Sequence, residues 1–265
     1  MAVHHVWIRN LPPWAEPMRL LGPGAWAVDG RSAHAELPTH AAADLDARLR
    51  GVGLGGVLLE VEVVPPLPRA AVRAARTTDA RRRRDASPGF TRPGCRLDAE
   101  GRVSLTPESL ALAMGERARG RSVVDLGCGA GGNSIGFARA GCRVVAVERD
   151  GARLADAQHN ARIYGVSDRI QFRRGDAAAL VGELSGDLLF VDPPWGVDWS
   201  RARTSLVDLP LLGAALGARG FAELWAKVPP SFDIREVPGA LPEAVYGVGG
   251  GDDRRVKFVL LRRAF

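Results

Sequence analysis

The chain has almost no lysine: positions 227 and 257 carry the only two lysines among its 36 Lys and Arg residues. Arginine therefore supplies nearly all of the positive charge, a bias that a GC-rich coding sequence explains better than phosphate chemistry does. The formal net charge is nevertheless +6, and the isoelectric point is about 10.0. Such a charge favours an anionic partner, so we expect nucleic acid to be one.

Cysteine is also scarce, and the three that are present, Cys95, Cys128 and Cys142, lack the spacing of a metal site. Because their number is odd and their spacing irregular, we expect neither a disulfide nor a bound metal. No apolar run approaches the roughly 20 residues that a membrane span needs. The first residues lack a basic and then apolar signal pattern, so a cytoplasmic location is the default expectation. The 265 residues, 46% of them apolar, suffice for one large domain or for a large and a small one.

The most informative stretch is Val123-Val-Asp-Leu-Gly-Cys-Gly-Ala-Gly-Gly-Asn133, which predicts a strand, a tight loop and the start of a helix. Its glycines Gly127, Gly129 and Gly132 fit the pattern G-x-G-x-x-G. That pattern alone indicates only that polar groups of a ligand approach a bare backbone at a helix N-terminus. Asp125 ends the strand, where a carboxylate suits a cationic ligand better than a pyrophosphate, which disfavours a dehydrogenase. We therefore expect Asp125, Gly127, Gly129 and Asn133 to bind a cofactor.

Three further predicted strands also end in an acid: Glu148, Asp176 and Asp192. Glu148 lies 21 positions after Gly127, close to the offset of about 20 residues at which a carboxylate reaches ribose hydroxyls. Asp176 is expected to accept a hydrogen bond from an adenine amino group with the Ala177 backbone beside the ring, or to cap the next helix, or both. Since ligands of parallel sheets bind at the carboxyl ends of the strands, this coincidence is the strongest pattern in the sequence.

The fourth acid begins Asp192-Pro-Pro-Trp195. The Asp192 carboxylate and the Pro193 carbonyl can each accept a hydrogen bond from an exocyclic amine, which favours the pyramidal nitrogen that attacks a methyl group. Consecutive prolines stiffen the loop, and Trp195 offers a flat face on which a base can stack. We therefore assign catalysis to Asp192, Pro193 and Trp195. The alternative is a turn that ends the strand, with Trp195 packed inside.

The order of predicted elements divides the chain into residues 1–68, a small α+β domain, 69–105, a basic helix and linker, and 106–265, the catalytic domain. The first part is predicted to contain a strand at 4–9, a hairpin around Asp29-Gly30, a helix at 41–49 and a strand at 57–64. In the last part strands alternate with helices, including one at 206–216, and 244–248 with 256–261 forms an antiparallel hairpin. This alternation predicts an α/β fold with a mainly parallel sheet.

Three features before or at the start of the catalytic domain supply further candidate residues. The run Arg81, Arg82, Arg83 and Arg84 either contacts phosphates, as we predict, or is a solvated helix face. Phe90 either packs into the core or contacts a substrate base, and we include it among the substrate-binding candidates. Thr106 is predicted to cap a helix that starts at Pro107 and runs to about residue 119, and we place it among the cofactor-binding candidates.

Four segments together resemble the trimethylguanosine synthase family, the RNA cap guanine-N2 methyltransferases, over about residues 95–265. They are Leu97-Asp-x-Glu-Gly-x-x-Ser-x-Thr-Pro-Glu108, Cys128-Gly-x-Gly-Gly-Asn133, Asn160-Ala-x-x-Tyr-Gly165 and Pro193-Pro-Trp-Gly196.

The resemblance implies a class I methyltransferase fold, which is Rossmann-like with a mainly parallel seven-stranded sheet and a C-terminal antiparallel hairpin. It implies S-adenosyl-L-methionine as the cofactor and transfer to guanine N2 of RNA, with Trp195 stacking on the guanine and Glu148 holding the ribose. The family's Ser before Pro-Pro-Trp is Asp192 here, as in base amino-methyltransferases, and the aromatic expected after Glu100-Gly101 is Arg102. The nitrogen chemistry therefore transfers to this chain more directly than the cap substrate does.

Other functions remain open on the sequence. A second enzymatic function is methylation of adenine N6, of cytosine N4 or of a small-molecule amine. A third is a non-catalytic module that binds RNA on a cofactor fold, although such a module need not keep an acid at each strand tip. The basic segment 81–84 favours a polynucleotide substrate.

Overall fold

In the computed structural model the described residues are 2–84, 88–196, 199–249 and 252–265, and the side chains at 83 and 84 lie outside the description. The N-terminal unit contains a four-stranded antiparallel sheet in the order β2-β3-β1-β6, with two helices and a small hairpin. Its elements are β1 (Val3–Arg9), α1 (Pro17–Leu21), β2 (Ala27–Asp29), β3 (Ser32–Pro38), α2 (Thr39–Leu49), β4 (Gly53–Leu54), β5 (Val57–Leu58) and β6 (Glu60–Val64).

The hairpin predicted around Asp29-Gly30 is confirmed, since Asp29 pairs with Ser32 across the turn. The single strand predicted over 57–64 is wrong. Val57–Leu58 pairs instead with Gly53–Leu54, and the chain turns inward at Leu59, whose side chain is buried. The break arises because Gly55 and Gly56 adopt positive φ and form a second tight hairpin just before this segment.

Two helices and a short helical turn connect the N-terminal unit to the second sheet. They are α3 (Arg69–Arg84), α4 (Gly101–Ser104) and α5 (Glu108–Arg117). The predicted cap by Thr106 is wrong. Pro107 occupies the N-cap position of α5 with extended backbone angles, and no side chain caps that end. The Thr106 hydroxyl instead accepts a hydrogen bond from Lys227 Nζ at 3.0 Å, a long-range contact that satisfies it elsewhere.

The second sheet has seven strands in the order β12-β13-β11-β10-β7-β8-β9. Strands β11, β10, β7, β8 and β9 are parallel, and β13 runs antiparallel between β11 and β12, so the predicted class I fold with a C-terminal hairpin is confirmed. Its elements are β7 (Ser122–Leu126), α6 (Gly132–Arg139), β8 (Arg143–Glu148), α7 (Gly151–Tyr164), β9 (Ile170–Arg174), α8 (Ala177–Leu180), β10 (Gly186–Val191), α9 (Pro210–Leu216), β11 (Phe221–Val228), β12 (Leu241–Tyr246) and β13 (Val256–Ala264).

The continuous helix predicted over 206–216 is wrong. A 3₁₀ turn over Leu206–Asp208 precedes α9, and Leu209 between them has φ −127° and ψ 64°. The cause is Pro210, which has no N–H to continue a helix and which disfavours helical angles in the residue before it.

Helices α5 and α6 pack backbone to backbone, because each carries a glycine where they meet. A Cβ on Gly115 would lie 2.3 Å from the Gly136 carbonyl oxygen, and one on Gly136 would lie 2.5 Å from the Ala111 carbonyl oxygen. Only a glycine permits such an approach. The contact holds α5 against α6, and Leu105, just before α5, lies against Gly132 at the start of α6.

The N-terminal sheet and one face of the seven-stranded sheet share a hydrophobic core. Val6 and Ile8 of β1 belong to the same buried cluster as Tyr246 and Val259 of the C-terminal hairpin. The Tyr246 hydroxyl also donates a hydrogen bond to the Ala15 carbonyl. The N-terminal unit therefore packs directly on the catalytic sheet, while the boundaries at 68 and 105 stay predictions.

Candidate functional site

The glycine-rich loop begins as β7 ends and curls over the end of β8. Gly127 and Cys128 both donate their backbone N–H to the Val147 carbonyl at 2.9 Å. Gly127 and Gly129 have φ of 77° and 55°, angles at which a side chain is strained. No atom lies within 4 Å of the Cβ position of Gly129, so this backbone borders open space. The loop is thus shaped to let a ligand approach the main chain.

Asp125 is fully buried in β7 beneath this loop. Its Oδ2 accepts a hydrogen bond from Ser134 Oγ at 2.5 Å, and its Oδ1 has no donor among the described residues. Burial, together with the negative charges of Asp192 and Glu148, raises the pKa of Asp125 to about 7. An acceptor left without a donor in a low-dielectric site is costly, and a cationic ligand would relieve that cost.

Glu148 and Asp176 stand at the ends of β8 and β9, as predicted. Glu148 is buried, and its two oxygens accept from the backbone N–H groups of Gly129 and Asp150, each at 2.9 Å. It therefore shapes the glycine loop directly. Asp176 is exposed and caps α8 by accepting at Oδ1 from Ala178 and Ala179. The capping alternative holds, while Oδ2 of Asp176 keeps its acceptor capacity and the Ala177 N–H lies in the first turn of α8.

A polar network surrounds Asp192 just beyond β10. Asn133 Nδ2 donates to Asp192 Oδ2 at 3.1 Å, and Lys227 Nζ lies 2.8 Å from the same oxygen. Lys227 Nζ also donates to Thr106. Two donors thus fix one carboxylate oxygen, while no described residue donates to Oδ1. Thr106 and Asn133, both predicted to bind the cofactor, are in fact brought together around Asp192.

Lys227, which is 5% exposed near the end of β11, is not among the site residues predicted from the sequence. The sequence nevertheless contained a signal, because one of only two lysines stands in a mostly apolar strand, between Ala226 and Val228. A buried lysine is rare unless it is paired. Here Lys227 and Asp192 compensate each other's charge as an ion pair.

The two prolines after Asp192 remove the local donors that would otherwise satisfy its carboxylate. An aspartate at a strand end commonly accepts from backbone N–H groups one or two residues ahead, but Pro193 and Pro194 have none. The carboxylate is therefore oriented by Asn133 and Lys227 from other elements. Pro193 is buried, and no described donor reaches its carbonyl oxygen, which remains an acceptor beside Asp192.

Trp195 is partly buried and packs against the hydrophobic clusters on both faces of the sheet. Its ring meets that of Trp199 edge to face at 5.5 Å between centroids, and Lys227 Nζ lies 5.6 Å from its centroid. Trp195 therefore packs against the core, as the alternative expected, but its side chain is only partly buried. Trp199 is not among the site residues predicted from the sequence, although it is a second tryptophan only four residues after the first. The two rings form an aromatic pair beside Asp192.

Three residues of the segments that resemble the known family contact the glycine loop or one another: Asn160, Tyr164 and Glu108. Asn160 is fully buried and its Nδ2 donates to the Ala130 carbonyl at 3.0 Å. The Tyr164 hydroxyl donates to Glu108 at 2.5 Å. Partial burial acts to raise the pKa of Glu108, but hydrogen bonds from Tyr164, Thr91 and Arg139 lower it to about 2. Phe90 packs against the Tyr164 ring at 5.7 Å, which supports its core interpretation over a base contact.

The arginine run at 81–84 forms the C-terminal end of α3. Arg81 is exposed, and Arg82 forms an ion pair with Asp44 of α2 at 2.8 Å. The side chains of Arg83 and Arg84 lie outside the described residues. The phosphate role of the run stays a prediction.

The residues at the strand ends fit S-adenosyl-L-methionine by the chemistry of their polar groups. That cofactor offers donors: an ammonium group, ribose hydroxyls and an adenine amine. The site offers acceptors: the unpartnered buried oxygens of Asp125 and Asn133, and carboxylates at Glu148 and Asp176. Within the described part of the chain, no group of three or more His, Cys, Asp or Glu residues could hold a metal ion, and no helix is long and apolar enough to cross a membrane.

Comparisons with known proteins support the resemblance. Residues 120–209 match the sequence profile of the RNA cap guanine-N2 methyltransferase family. The trimethylguanosine synthase of Schizosaccharomyces pombe is 35% identical over 128 residues, which cover 44% of this chain and 53% of that protein. The Saccharomyces cerevisiae trimethylguanosine synthase is 33% identical over 103 residues, covering 35% of this chain and 33% of that protein. The matched part of the chain thus spans about half the length of the first of these curated relatives and a third of the length of the second.

A solved structure supports the fold. A protein from Porphyromonas gingivalis W83 proposed to be a methyltransferase superposes with a TM-score of 0.51 at 19% identity, covering 76% of this chain and 52% of that one. Its likeness extends beyond the segment that matches the family profile. Residues 120–209 are therefore similar to the RNA cap guanine-N2 methyltransferase family, and the chain has a class I methyltransferase fold.

Proposed function

We propose that this protein transfers a methyl group from S-adenosylmethionine to an exocyclic amine, in the first place guanine N2 of RNA. The family match over 120–209 supports the reaction class. The observation that carries the nitrogen chemistry is the Asp192 carboxylate, which is held through Oδ2 by Asn133 and Lys227. Its Oδ1 and the adjacent Pro193 carbonyl, to which no described residue donates, are a pair of acceptors for an N–H₂ group.

The proposed role of this pair follows from the nucleophile. The lone pair of guanine N2 is delocalised into the ring, so the nitrogen attacks only when it pyramidalises. Asp192 and Pro193 favour that geometry by accepting one N–H each, and the interaction is strongest in the transition state. Asp192 is also the nearest carboxylate to the nitrogen in this arrangement, and we assign to it the proton that the methylated, cationic nitrogen releases.

Lys227 and Asn133 act as positioning residues for Asp192. Because both bind Oδ2, the carboxylate plane is fixed before a substrate arrives, and no reorganisation is needed during the reaction. Thr106 holds Lys227 in turn. This assignment replaces the cofactor role that the sequence suggested for Thr106 and adds a second role for Asn133.

The cofactor supplies an electrophilic methyl group on a sulfonium. We assign the Asp125 carboxylate and the Gly127 and Gly129 backbone to its cationic end, Glu148 to its ribose, and Asp176 with Ala177 to its adenine. Calorimetry with S-adenosylhomocysteine tests this assignment, since Glu148→Ala should weaken binding. Binding of NAD in place of S-adenosylhomocysteine would refute it.

We assign the target base to the aromatic pair of Trp195 and Trp199. A flat aromatic surface accepts any base, and stacking contributes roughly 1–3 kcal/mol per base. The base identity is then set by which exocyclic amine reaches Asp192. The Asp-Pro-Pro-aromatic motif is also that of adenine N6 and cytosine N4 methyltransferases, so the presence of Asp192 favours such a base as the second candidate.

The decisive experiment is incubation of the pure protein with isotopically labelled S-adenosylmethionine and total RNA, followed by nucleoside analysis. We expect label in N2-methylguanosine. Label in N6-methyladenosine or N4-methylcytidine would assign the second candidate. Label absent from every exocyclic amine would refute the proposal.

A further inference from the structure

Three arginines of α3 have no acidic partner among the residues that the structure describes. Arg69, Arg73 and Arg76 follow one another at intervals of four and three residues, so they lie on one side of the helix, along about 10 Å of its length. All three are exposed, and no ion pair of the described residues includes any of them. Together with Leu67 and Val72 they line an open groove of about 730 Å³.

Two other charged residues of α3 are paired within the protein. Asp79, which is buried, pairs with Arg255 of the C-terminal hairpin, and Arg82 pairs with Asp44 of α2. Folding therefore uses these two charges. Arg69, Arg73 and Arg76 have no such ion pair among the described residues, and clustering them costs repulsion that an anionic partner would offset.

The arginine face continues towards the catalytic cleft. A cavity of about 290 Å³ is lined by Arg76 of α3, by Arg50 just after α2, and by Arg201. Arg201 belongs to the segment after Asp192-Pro-Pro-Trp195, and its Cα lies within about 7 Å of that of Trp199, two residues earlier. The acids that line the same cavity are engaged by the protein: Asp46 pairs with Arg50, and Asp79 with Arg255.

A backbone contact fixes the N-terminal unit to this segment. The Gly53 N–H donates to the Arg201 carbonyl at 2.8 Å, and the Gly55 N–H donates to the Pro230 carbonyl at 2.9 Å. A Cβ on Gly53 would lie 1.9 Å from the Ala202 carbonyl oxygen, so the strand β4 sits directly on the loop. The arginines of the two units therefore keep a fixed relative position.

We propose that Arg69, Arg73, Arg76 and Arg201 form a phosphate-binding track for a single-stranded RNA whose target base lies at Trp195 and Trp199. The inference rests on the proposed function and extends it: α3, which follows the N-terminal unit, is a part of the substrate site. The track binds the backbone through charge, without reading sequence, and delivers the strand to the aromatic pair.

Binding of a fluorescent single-stranded oligouridylate that ends in guanosine, measured by anisotropy with S-adenosylhomocysteine present, tests the track. The variant Arg69→Ser/Arg73→Ser/Arg76→Ser is compared with Arg143→Ser/Arg169→Ser/Arg219→Ser. The control arginines are exposed, have no ion pair among the described residues and lie at the opposite, amino-terminal ends of β8, β9 and β11. Both variants lower the net charge by the same three units, from +6 to +3.

The α3 variant should bind at least about tenfold more weakly at low salt, and the magnitude of its slope of log affinity against log salt should fall by about 2, or roughly 0.7 for each lost phosphate contact. The control variant should keep the parent slope. Equal losses in both variants, or none in either, would overturn the track. So would loss of binding to anionic phosphatidylserine vesicles with RNA binding intact, which would assign the face to a lipid surface.

Photocrosslinking locates the strand independently. An RNA with 4-thiouridine next to the terminal guanosine should crosslink to residues 199–205, and one with 4-thiouridine farther along should crosslink to 69–81. Crosslinks confined to either segment would overturn the continuous track. Neither assay requires methyl transfer, so the track is tested separately from the proposed reaction: transfer to RNA together with an unaffected α3 variant refutes the track alone.

Discussion

The two halves of the candidate site are built differently. The cofactor half comprises Asp125, Glu148 and Asp176 at the ends of β7, β8 and β9, and the substrate half comprises Asp192, Lys227 and the tryptophan pair. In the cofactor half the defining contacts are local: Asp125 and Ser134 are 9 positions apart, and Gly129 and Glu148 are 19 apart. In the substrate half Lys227 bonds to Thr106 across 121 positions.

The difference has a physical consequence. A local contact closes a short loop, and the strand-loop-helix pattern specifies most of its geometry. A distant contact forms only when the sheet is assembled and the N-terminal unit is docked. We therefore expect substitutions in the cofactor half to change ligand binding, and substitutions in the substrate half to change turnover, substrate affinity or the packing of distant segments.

The largest expected effect is that of Asp192→Ala. Removing one preorganised polar group at a reacting centre costs about 2–4 kcal/mol, so kcat should fall roughly 30- to 1000-fold. The affinity for S-adenosylhomocysteine should stay nearly unchanged, because Glu148 and Asp176 belong to the other half. Asp168→Ala, an exposed acid outside the site, is the control. Turnover at the parent rate would show that this motif does not carry the reaction.

Next in size is the effect of Trp195→Ala. Stacking is present in both the ground state and the transition state, so its loss should raise KM while kcat changes little. A loss of about 1–3 kcal/mol corresponds to a rise of roughly 5- to 150-fold. Steady-state kinetics on the identified RNA measure both constants. A fall in kcat with KM unchanged would instead assign Trp195 to the reacting centre.

Gly53→Ala tests whether the substrate half depends on the N-terminal unit. The added Cβ would meet the Ala202 carbonyl oxygen at 1.9 Å, and overpacking of this kind costs about 1–3 kcal/mol. We expect a lower melting temperature and a higher KM for RNA, with S-adenosylhomocysteine affinity retained. Gly182→Ala is the control, since nothing lies within 4 Å of its Cβ position. Equal behaviour of the two variants would remove the link between the units.

The last prediction concerns the pH dependence of cofactor binding. The pKa of Asp125 is about 7 in the folded protein against 3.8 for a free group, so between these values the folded chain holds a proton that the unfolded chain has lost. The stability from this group is full below about pH 3.8 and declines as pH rises through 7. A cationic ligand prefers the carboxylate, so S-adenosylmethionine affinity should rise up to tenfold per unit towards pH 7 and then level off.

Calorimetry across this pH range checks the expectation. Asp125→Asn removes the titrating group and should flatten the profile while leaving the hydrogen bond with Ser134 possible. A parent profile as flat as that of the variant would separate Asp125 from the cationic end of the cofactor. The cofactor half would then be defined by Glu148 and Asp176 alone.

The local patterns of the sequence predicted much of the cofactor half. The acid at the end of each strand, the glycine loop and the cap of α8 by Asp176 all follow from residue type and spacing. The failures have equally specific causes. Thr106 was predicted to cap α5 because threonine before proline and an acid is typical of a helix start. In the structure its hydroxyl instead accepts a hydrogen bond from Lys227. The prediction of a continuous helix over 206–216 failed because Pro210 interrupts that segment.

The sequence by itself determined the parallel sheet and the acids at its carboxyl edge, because hydrophobic periodicity, turn residues and motif spacing are local properties. It also predicts the amine chemistry that we propose for the Asp192 motif. Only the tertiary structure decided which groups surround Asp192: Lys227 from β11, Asn133 from the glycine loop and the segment that carries Trp199. It also decided that the N-terminal unit lies against that segment, through Gly53 and Arg201. The reason is that contacts between distant positions depend on how sheets and helices pack. Hydrophobic burial drives that packing, but because it is non-directional it does not specify which residues will be in contact.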